Sequence, residues 1–231
     1  MKNCAILLAA GHSSRMQGTD KLTFELSEKM VVEYSIEALF KHKLVDHVTI
    51  VTSKKNSNKI KSIITTNQYK KSFDFIEGGD TRFTSFLNAF KTIISSEITI
   101  IHDAARPFIT ENLISESINI ANKYGSAVPV IKHVDSTYLY NESNTLSKQI
   151  DRSKLLSSQT PQAYKTKILY DAIQYAKNNK IKFNFNDVPE LILKKGSKPR
   201  VFNGSKYNIK LTSPEDILLI KSIHQILNSN D

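Results

Sequence analysis

Cysteine is almost absent: Cys4 is the single thiol in 231 residues. That excludes an intramolecular disulfide and a cysteine-built zinc cluster. Tryptophan is missing altogether, and the phenylalanines and tyrosines are not interleaved with basic residues in the manner that stacks bases. Seven glycines and six prolines are too few for a collagen-like or low-complexity chain. Long apolar runs are lacking as well. The longest aliphatic stretch, Ala5 to Ala10, is far short of a membrane-spanning helix. Met1-Lys2-Asn3 leads straight into that short stretch, unlike the apolar region of a signal peptide. Together these absences lead us to expect a soluble, cytoplasmic protein of a reducing compartment, with no membrane partner.

Apolar residues at 40% and charged ones at 23% fit a folded chain with a sizeable core. At roughly 150 residues per domain, the length suits one large domain with a small appendage. Lys and Arg number 32 against 22 Asp and Glu, a net charge of +10 that suits an anionic partner. The lysines are dispersed (Lys54-Lys55, Lys70-Lys71, Lys194-Lys195) and form no basic block. A small phosphorylated ligand is therefore expected ahead of nucleic acid.

Short β-branched runs alternate with helical patterns along the chain. Ala5–Leu8, Val48–Val51, Phe73–Ile76, Ile98–Ile101 and Ala127–Val130 read as strands, three of them nearly continuous apolar runs, as strands covered on both faces are. Phe83, Phe86, Leu87, Phe90 and Ile94 lie on one helical stripe; Val32, Ile36, Leu39 and Phe40 make a second; Ile114, Ile118 and Ala121 a third. The last helix is expected to start with Ser213 as N-cap and Pro214 at its first position, with a stripe of Leu219, Ile220, Ile223, Ile226 and Leu227. This rhythm predicts an α/β fold: an open, mostly parallel twisted sheet with helices on both faces, binding its ligand at the carboxyl ends of the strands. Asp135 to Gln149 breaks it, a polar stretch long for a loop and read as functional or as a β-arm.

The chemistry-bearing residues sit where the strands end. Gly11 follows the first strand in Ala9-Ala10-Gly11-His12-Ser13-Ser14-Arg15-Met16, where small residues admit a ligand to the backbone and Arg15 adds a fixed charge. It matches neither the dinucleotide fingerprint nor the P-loop. Lys21 is a second cation on the same loop. Gly78-Gly79-Asp80 closes the third strand and leads to Arg82 and Ser85. The fourth ends in His102-Asp103-Ala104-Ala105-Arg106-Pro107, where Asp103 is placed to hold Mg²⁺ on a phosphate. His102 lacks a second ligand at metal spacing and reads as a packed, hydrogen-bonded histidine. Asp151-Arg152, Gln159-Thr160-Pro161-Gln162 and Asn208-Ile209-Lys210-Leu211-Thr212 follow; each alone is ordinary polar sequence.

In order along the chain, these segments resemble the 2-C-methyl-D-erythritol 4-phosphate cytidylyltransferase family. The resemblance runs from Ile6 to Asp216. It implies a nucleotidyltransferase-type, Rossmann-like domain over 1–231, with a β-arm at about 135–155 that exchanges between the subunits of a homodimer. It also implies a Mg²⁺-dependent transfer of the cytidylyl group of CTP to 2-C-methyl-D-erythritol 4-phosphate, releasing pyrophosphate, in the non-mevalonate route to isoprenoids. Carried over by position, Ala9, Ala10, Gly11, Gly79, Asp80, Ser85, Ala105 and Arg106 would bind CTP. Arg15 and Lys21 would stabilise the triphosphate, and Asp103 would hold Mg²⁺. Ser136, Arg152, Thr160 and Lys210 would hold the acceptor, Arg152 and Lys210 also counting as catalytic. Phosphoryl-type transfer needs positioning and electrostatics rather than a protein nucleophile, which agrees with that set.

The sequence departs from the family at Phe185-Asn186-Asp187-Val188, where a Thr-Asp-(Asp or Glu)-Ala is usual, and only one carboxylate remains. Asp135-Ser136 stands for Asp-Thr, Lys132 for a proline and Ser13 for a common glycine. The changes gather on the acceptor side, so a cytidylyltransferase for ribitol 5-phosphate or another polyol phosphate is the alternative. A non-catalytic nucleotide- or nucleic-acid-binding module is a third reading, one that would not require Arg15, Lys21, Asp103, Arg152 and Lys210 together.

Overall fold

The computed structural model describes residues 1–229 except 12, 14, 17 and 19. The chain runs through β1 (Asn3–Ala9), a small hairpin of β2 (Glu25–Leu26) and β3 (Lys29–Met30), α1 (Val31–Lys41), β4 (His47–Thr52), α2 (Lys54–Thr66) and β5 (Ser72–Glu77). Then come α3 (Arg82–Phe90), β6 (Ile98–Asp103), α4 (Glu111–Tyr124) and β7 (Ser126–Lys132). A hairpin of β8 (Thr137–Tyr140) and β9 (Leu146–Ile150) follows, then β10 (Leu156–Ser158), β11 (Gln162–Lys165), α5 (Thr166–Asn178), α6 (Val188–Lys194), β12 (Val201–Asn203) and α7 (Glu215–Asn228).

The main sheet has the order β10-β7-β11-β6-β1-β4-β5, with β12 alongside β7. β1, β4, β5 and β6 are parallel, while β11 runs antiparallel to both β6 and β7. All five expected strands are present, in a mostly parallel sheet as expected. Their residues alternate between two cores. Ala5, Leu7 and Ala9 of β1 join the cluster under α1, α2 and α4, and Cys4 and Ile6 join the one under α3, α5 and α6. A strand covered on both faces has no polar side, hence the apolar runs.

Two details differ from expectation. Helix α3 stops at Phe90, so Ile94 falls beyond it and is 47% exposed, while Ile93 turns inward instead. Helix α7 begins at Glu215, and Asp216 rather than Ser213 satisfies the entry, accepting from the Thr212 and Ser213 amides at 2.7 and 2.9 Å. Of its stripe, Ile220 and Ile223 are buried, whereas Leu219, Ile226 and Leu227 stay exposed. Among the described residues no helix is long and apolar enough to cross a membrane.

From β1 the chain winds outward on one side through β4 and β5, then returns to the other side of β1 as β6. The strand order therefore reverses between β1 and β6. In open α/β sheets a crevice opens at the carboxyl ends of such a pair.

Candidate active site

That crevice is a cleft of about 400 Å³ lined by Ala10, Gly11, Arg15 and Lys21 after β1, Gly79 to Arg82 and Ser85 after β5, Asp103 and Ala105 after β6, and Lys210. His12 and Ser14 of the first loop lie outside the described residues. The loop is held by its own side chains: Ser13 Oγ accepts from the Lys21 amide at 3.2 Å, and Asp20 accepts from the Leu22 amide and from Asn56 on α2. Glycine is needed where this loop meets the next. A Cβ on Gly78 would lie 2.3 Å from that of Ala10, and one on Gly79 2.5 Å from Thr84 Oγ1. The buried Ser85 hydroxyl accepts from the Gly79 amide at 3.1 Å and fixes the turn.

Asp103, at the last position of β6, is the floor. Its carboxylate is nearly buried and meets two cations, Arg82 Nε on Oδ1 at 2.9 Å and Lys210 Nζ on Oδ2 at 2.8 Å. Burial alone would raise its pKa, but Arg82 and Lys210 outweigh burial and hold the carboxyl far below the usual carboxylate range. Lys21 moves the other way for a lysine: burial lowers it, and the nearby Lys210 and Arg15 push it further down. A cleft whose cations repel one another calls for a polyanion.

A second hollow, of about 210 Å³, shares Arg82, Asp103 and Lys210 with the cleft and adds Arg106, Ser158, Gln159, Thr160, Gln162, Asn186 and Asp187. Arg106 thus lines this hollow and not the cleft, its Nη1 bound to the Asn208 carbonyl at 2.7 Å. Ala9, also expected at the nucleotide, is fully buried in the core at the end of β1, because its side chain points to the helix layer. Thr160 is buried too. Its hydroxyl accepts from the Asp103 amide at 3.1 Å and donates to His102 Nδ1 at 3.0 Å. His102 Nε2 is left to donate towards the Arg106 carbonyl and Ser35 Oγ, both at 3.3 Å. Burial pushes this imidazole down to about 3, so it is a neutral strut beneath Asp103.

Ser136 and Arg152 are brought together, but elsewhere: with Gln149, Ile150 and Asp151 they line a separate hollow at the base of the β8–β9 hairpin. Both are exposed, and Arg152 Nη1 donates to the Val134 carbonyl. The residues passed over in the sequence are Arg82 and Asp187, joined at 3.0 Å across the second hollow. Arg82 was visible one turn after Gly79, and Asp187 as the one carboxylate left in the departing family motif, but neither was given a role; Asp187 reaches the hollow as the N-cap of α6.

Residues 3–225 match the family model for 2-C-methyl-D-erythritol 4-phosphate cytidylyltransferase. The chain belongs to this family. A cytidylyltransferase of that name from Clostridium tetani is 36% identical over 99% of this chain and 94% of its own. Its namesake from Clostridium acetobutylicum is 33% identical over 96% of both. Among solved structures, 4-diphosphocytidyl-2C-methyl-D-erythritol synthase from Anaerococcus prevotii superposes with a TM-score of 0.84 at 26% identity, covering 97% of this chain and 96% of that one. The cytidylyltransferase family thus accounts for nearly the whole length, acceptor side included. None of these relatives carries a ribitol phosphate name.

Proposed function

We propose that this protein transfers the cytidylyl group of CTP to 2-C-methyl-D-erythritol 4-phosphate and releases pyrophosphate, as a cytoplasmic step of isoprenoid synthesis. The observation that carries the reading is the cleft between β1 and β6, where Arg15, Lys21 and Lys210 line one hollow with an ionised Asp103, within family-matching sequence. Ala10, Gly11, Gly79, Asp80, Ser85 and Ala105 would receive the nucleoside, with Ala9 contributing backbone only. Arg15 and Lys21 would stabilise charge gathering at the α-phosphorus and on the leaving pyrophosphate. The second hollow, with Lys210, Arg106 and the Thr160 segment, would hold the acceptor so that its phosphate oxygen attacks in line.

The donor set suits Mg²⁺. Among the described residues no cluster of three His, Cys, Asp or Glu side chains could cage a metal, which leaves one carboxylate and the phosphates of the substrate, the usual manner of Mg²⁺ at nucleotides. A carboxylate offers about four acceptor positions, and Arg82 and Lys210 occupy two on Asp103. Mg²⁺ on Asp103 would neutralise triphosphate oxygens as the acceptor approaches.

Arg152 and Ser136 would serve the acceptor of a second copy. The β8–β9 hairpin forms a two-stranded sheet of its own and exposes Val134, Leu139, Tyr140 and Leu146, each more than half accessible. Isolated hairpins are marginal in water, and clustered exposed apolar groups mark interfaces. An exchanged arm in a homodimer would cover them.

Pyrophosphate release from CTP tests the reading, with 2-C-methyl-D-erythritol 4-phosphate and ribitol 5-phosphate as competing acceptors. Turnover with the first and little with the second is expected. Preference for ribitol 5-phosphate would move the enzyme to polyol activation, and release with neither would leave a binding module.

A further inference from the structure

Arg82 answers two carboxylates. Its Nε meets Asp103 at 2.9 Å and its Nη1 meets Asp187 at 3.0 Å, so the guanidinium touches Asp103 with one bond instead of the two-bond fork that Arg and carboxylate favour. Asp187 is well placed to hold it there. As N-cap of α6 it accepts from the Val188 amide at 2.9 Å, and it also takes Gln162 Nε2 at 2.8 Å and Ser158 Oγ at 3.0 Å. Gln162 is fixed in turn by the fully buried Tyr164, whose hydroxyl donates to Oε1 at 3.0 Å. Burial raises that phenol well above its ordinary value, which keeps it a donor. A line of hydrogen bonds, buried at Tyr164 and Gln162 and half-buried at Asp187 and Arg82, thus runs from the core beneath α3 and α5 to the floor of the cleft.

We infer that Asp187 is a positioning residue that limits Arg82 to a single bond on Asp103, so that Asp103 keeps acceptor positions open for the divalent ion of the nucleotide. The inference rests on the placing of Mg²⁺ at Asp103. Without the charge of Asp187, Arg82 would turn a second N–H onto Asp103. With Lys210 still on Oδ2, protein donors would then take three of the about four acceptor positions of the carboxylate. Carboxylate residues one step removed from a metal act in this manner, and their loss typically weakens metal binding about 10–100-fold.

The test is CTP binding by calorimetry without acceptor, with Mg²⁺ and with EDTA, the ratio of the two Kd values giving the contribution of the metal. Asp187→Asn, which keeps an N-cap oxygen, should lose about ten-fold or more of that ratio while its Kd in EDTA stays unchanged. Asp187→Ser, also a good N-cap, is the second variant should the amide lower the melting temperature. Adding Arg82→Lys to either should restore the ratio, because an ammonium is a point charge and cannot form the fork. Loss of Asp187's charge acting on the metal directly would not be rescued in this way, and failure of the rescue overturns the inference. Asp103→Asn separates it from the underlying site. If Asp103→Asn loses the metal effect and the Asp187 variants keep it, the positioning role is wrong and the site stands. If Asp103→Asn keeps the metal effect, both fall.

Discussion

The floor of the cleft, with Arg82 and Lys210, and the base of the hairpin, with Arg152, present positive charge in opposite surroundings. Lys210 and Arg82 are tied at 2.8 and 2.9 Å to a nearly buried carboxylate, under which Thr160, His102 and Ser35 form a second layer of hydrogen bonds. Arg152 is exposed, and Ser136 and a backbone carbonyl are its company. The first arrangement is finished within one chain. The second stands apart, because the hollow that Arg152 and Ser136 line shares no residue with the cleft or its neighbour. Preorganisation at the floor and separation at the arm fit the proposed site shared between two subunits.

Asp103→Asn should produce the largest loss. It removes the charge facing Arg82, Lys210 and the proposed ion, and turnover should fall on the order of 10³-fold in steady-state assays. Unfolding in urea should show a loss of about 3 kcal/mol, since a buried ion pair broken on one side leaves its partners unmatched. Near-normal turnover would break the contrast by showing that the floor is merely structural.

Arg15→Ala and Lys21→Ala come next. Each should lower kcat roughly 10²-fold while cytidine itself binds as before, because these cations face the phosphates rather than the base. Equal losses in cytidine affinity and kcat would place them in ground-state binding instead.

A pH dependence sharpens the account of the floor. His102 is fully buried with its pKa pushed down from 6.5 to about 3, so the unfolded chain binds a proton that the native one refuses. Stability should therefore decline as pH falls below about 6.5, by up to about 1.4 kcal/mol per pH unit, a slope that continues towards pH 3. Asp103, whose folded pKa is depressed, adds its own loss only below the ordinary carboxylate range, so from 6.5 to 4 the slope belongs to the buried imidazoles of His102 and of His42, whose pKa burial also lowers. In His102→Gln the slope in that interval should flatten. An unchanged slope in urea melts across this range would place the titration elsewhere.

β1, β4 and β6 were legible because burial on both faces leaves a nearly continuous apolar run, the edge strand β5 by its phenylalanines and Ile76, and the polar arm as the one break in the pattern. β11 was not: Gln162-Ala163-Tyr164-Lys165 is short, and its partners β6 and β7 are distant in sequence. Helix α2, Lys54–Thr66, was hidden by its polar surface, with Ile60, Ile63 and Ile64 as its chief apolar anchors. In the site, strand-end motifs located Gly11, Gly79, Asp80 and Asp103, since a short turn fixes where such residues point. Arg106 went to the neighbouring hollow and Ala9 into the core because side-chain direction depends on packing that spacing does not carry. Asp187 matters through Arg82, Ser158 and Gln162, contacts 105, 29 and 25 residues away in sequence, and no local pattern encodes them.

The most direct test of a site shared between subunits is complementation between two inactive variants. In the proposed exchange, Arg152 reaches the partner's cleft while Lys210 stays in its own, so Arg152→Ala and Lys210→Ala homodimers should both be nearly inactive. Dissociated, mixed in equal amounts and reassembled, they should form about half mixed dimers, each with one site that has both cations and one that has neither. About a quarter of wild-type activity should then return. No recovery, with mixed dimers shown to be present by mass spectrometry, would place both residues in the same subunit's site and contradict the exchanged arm.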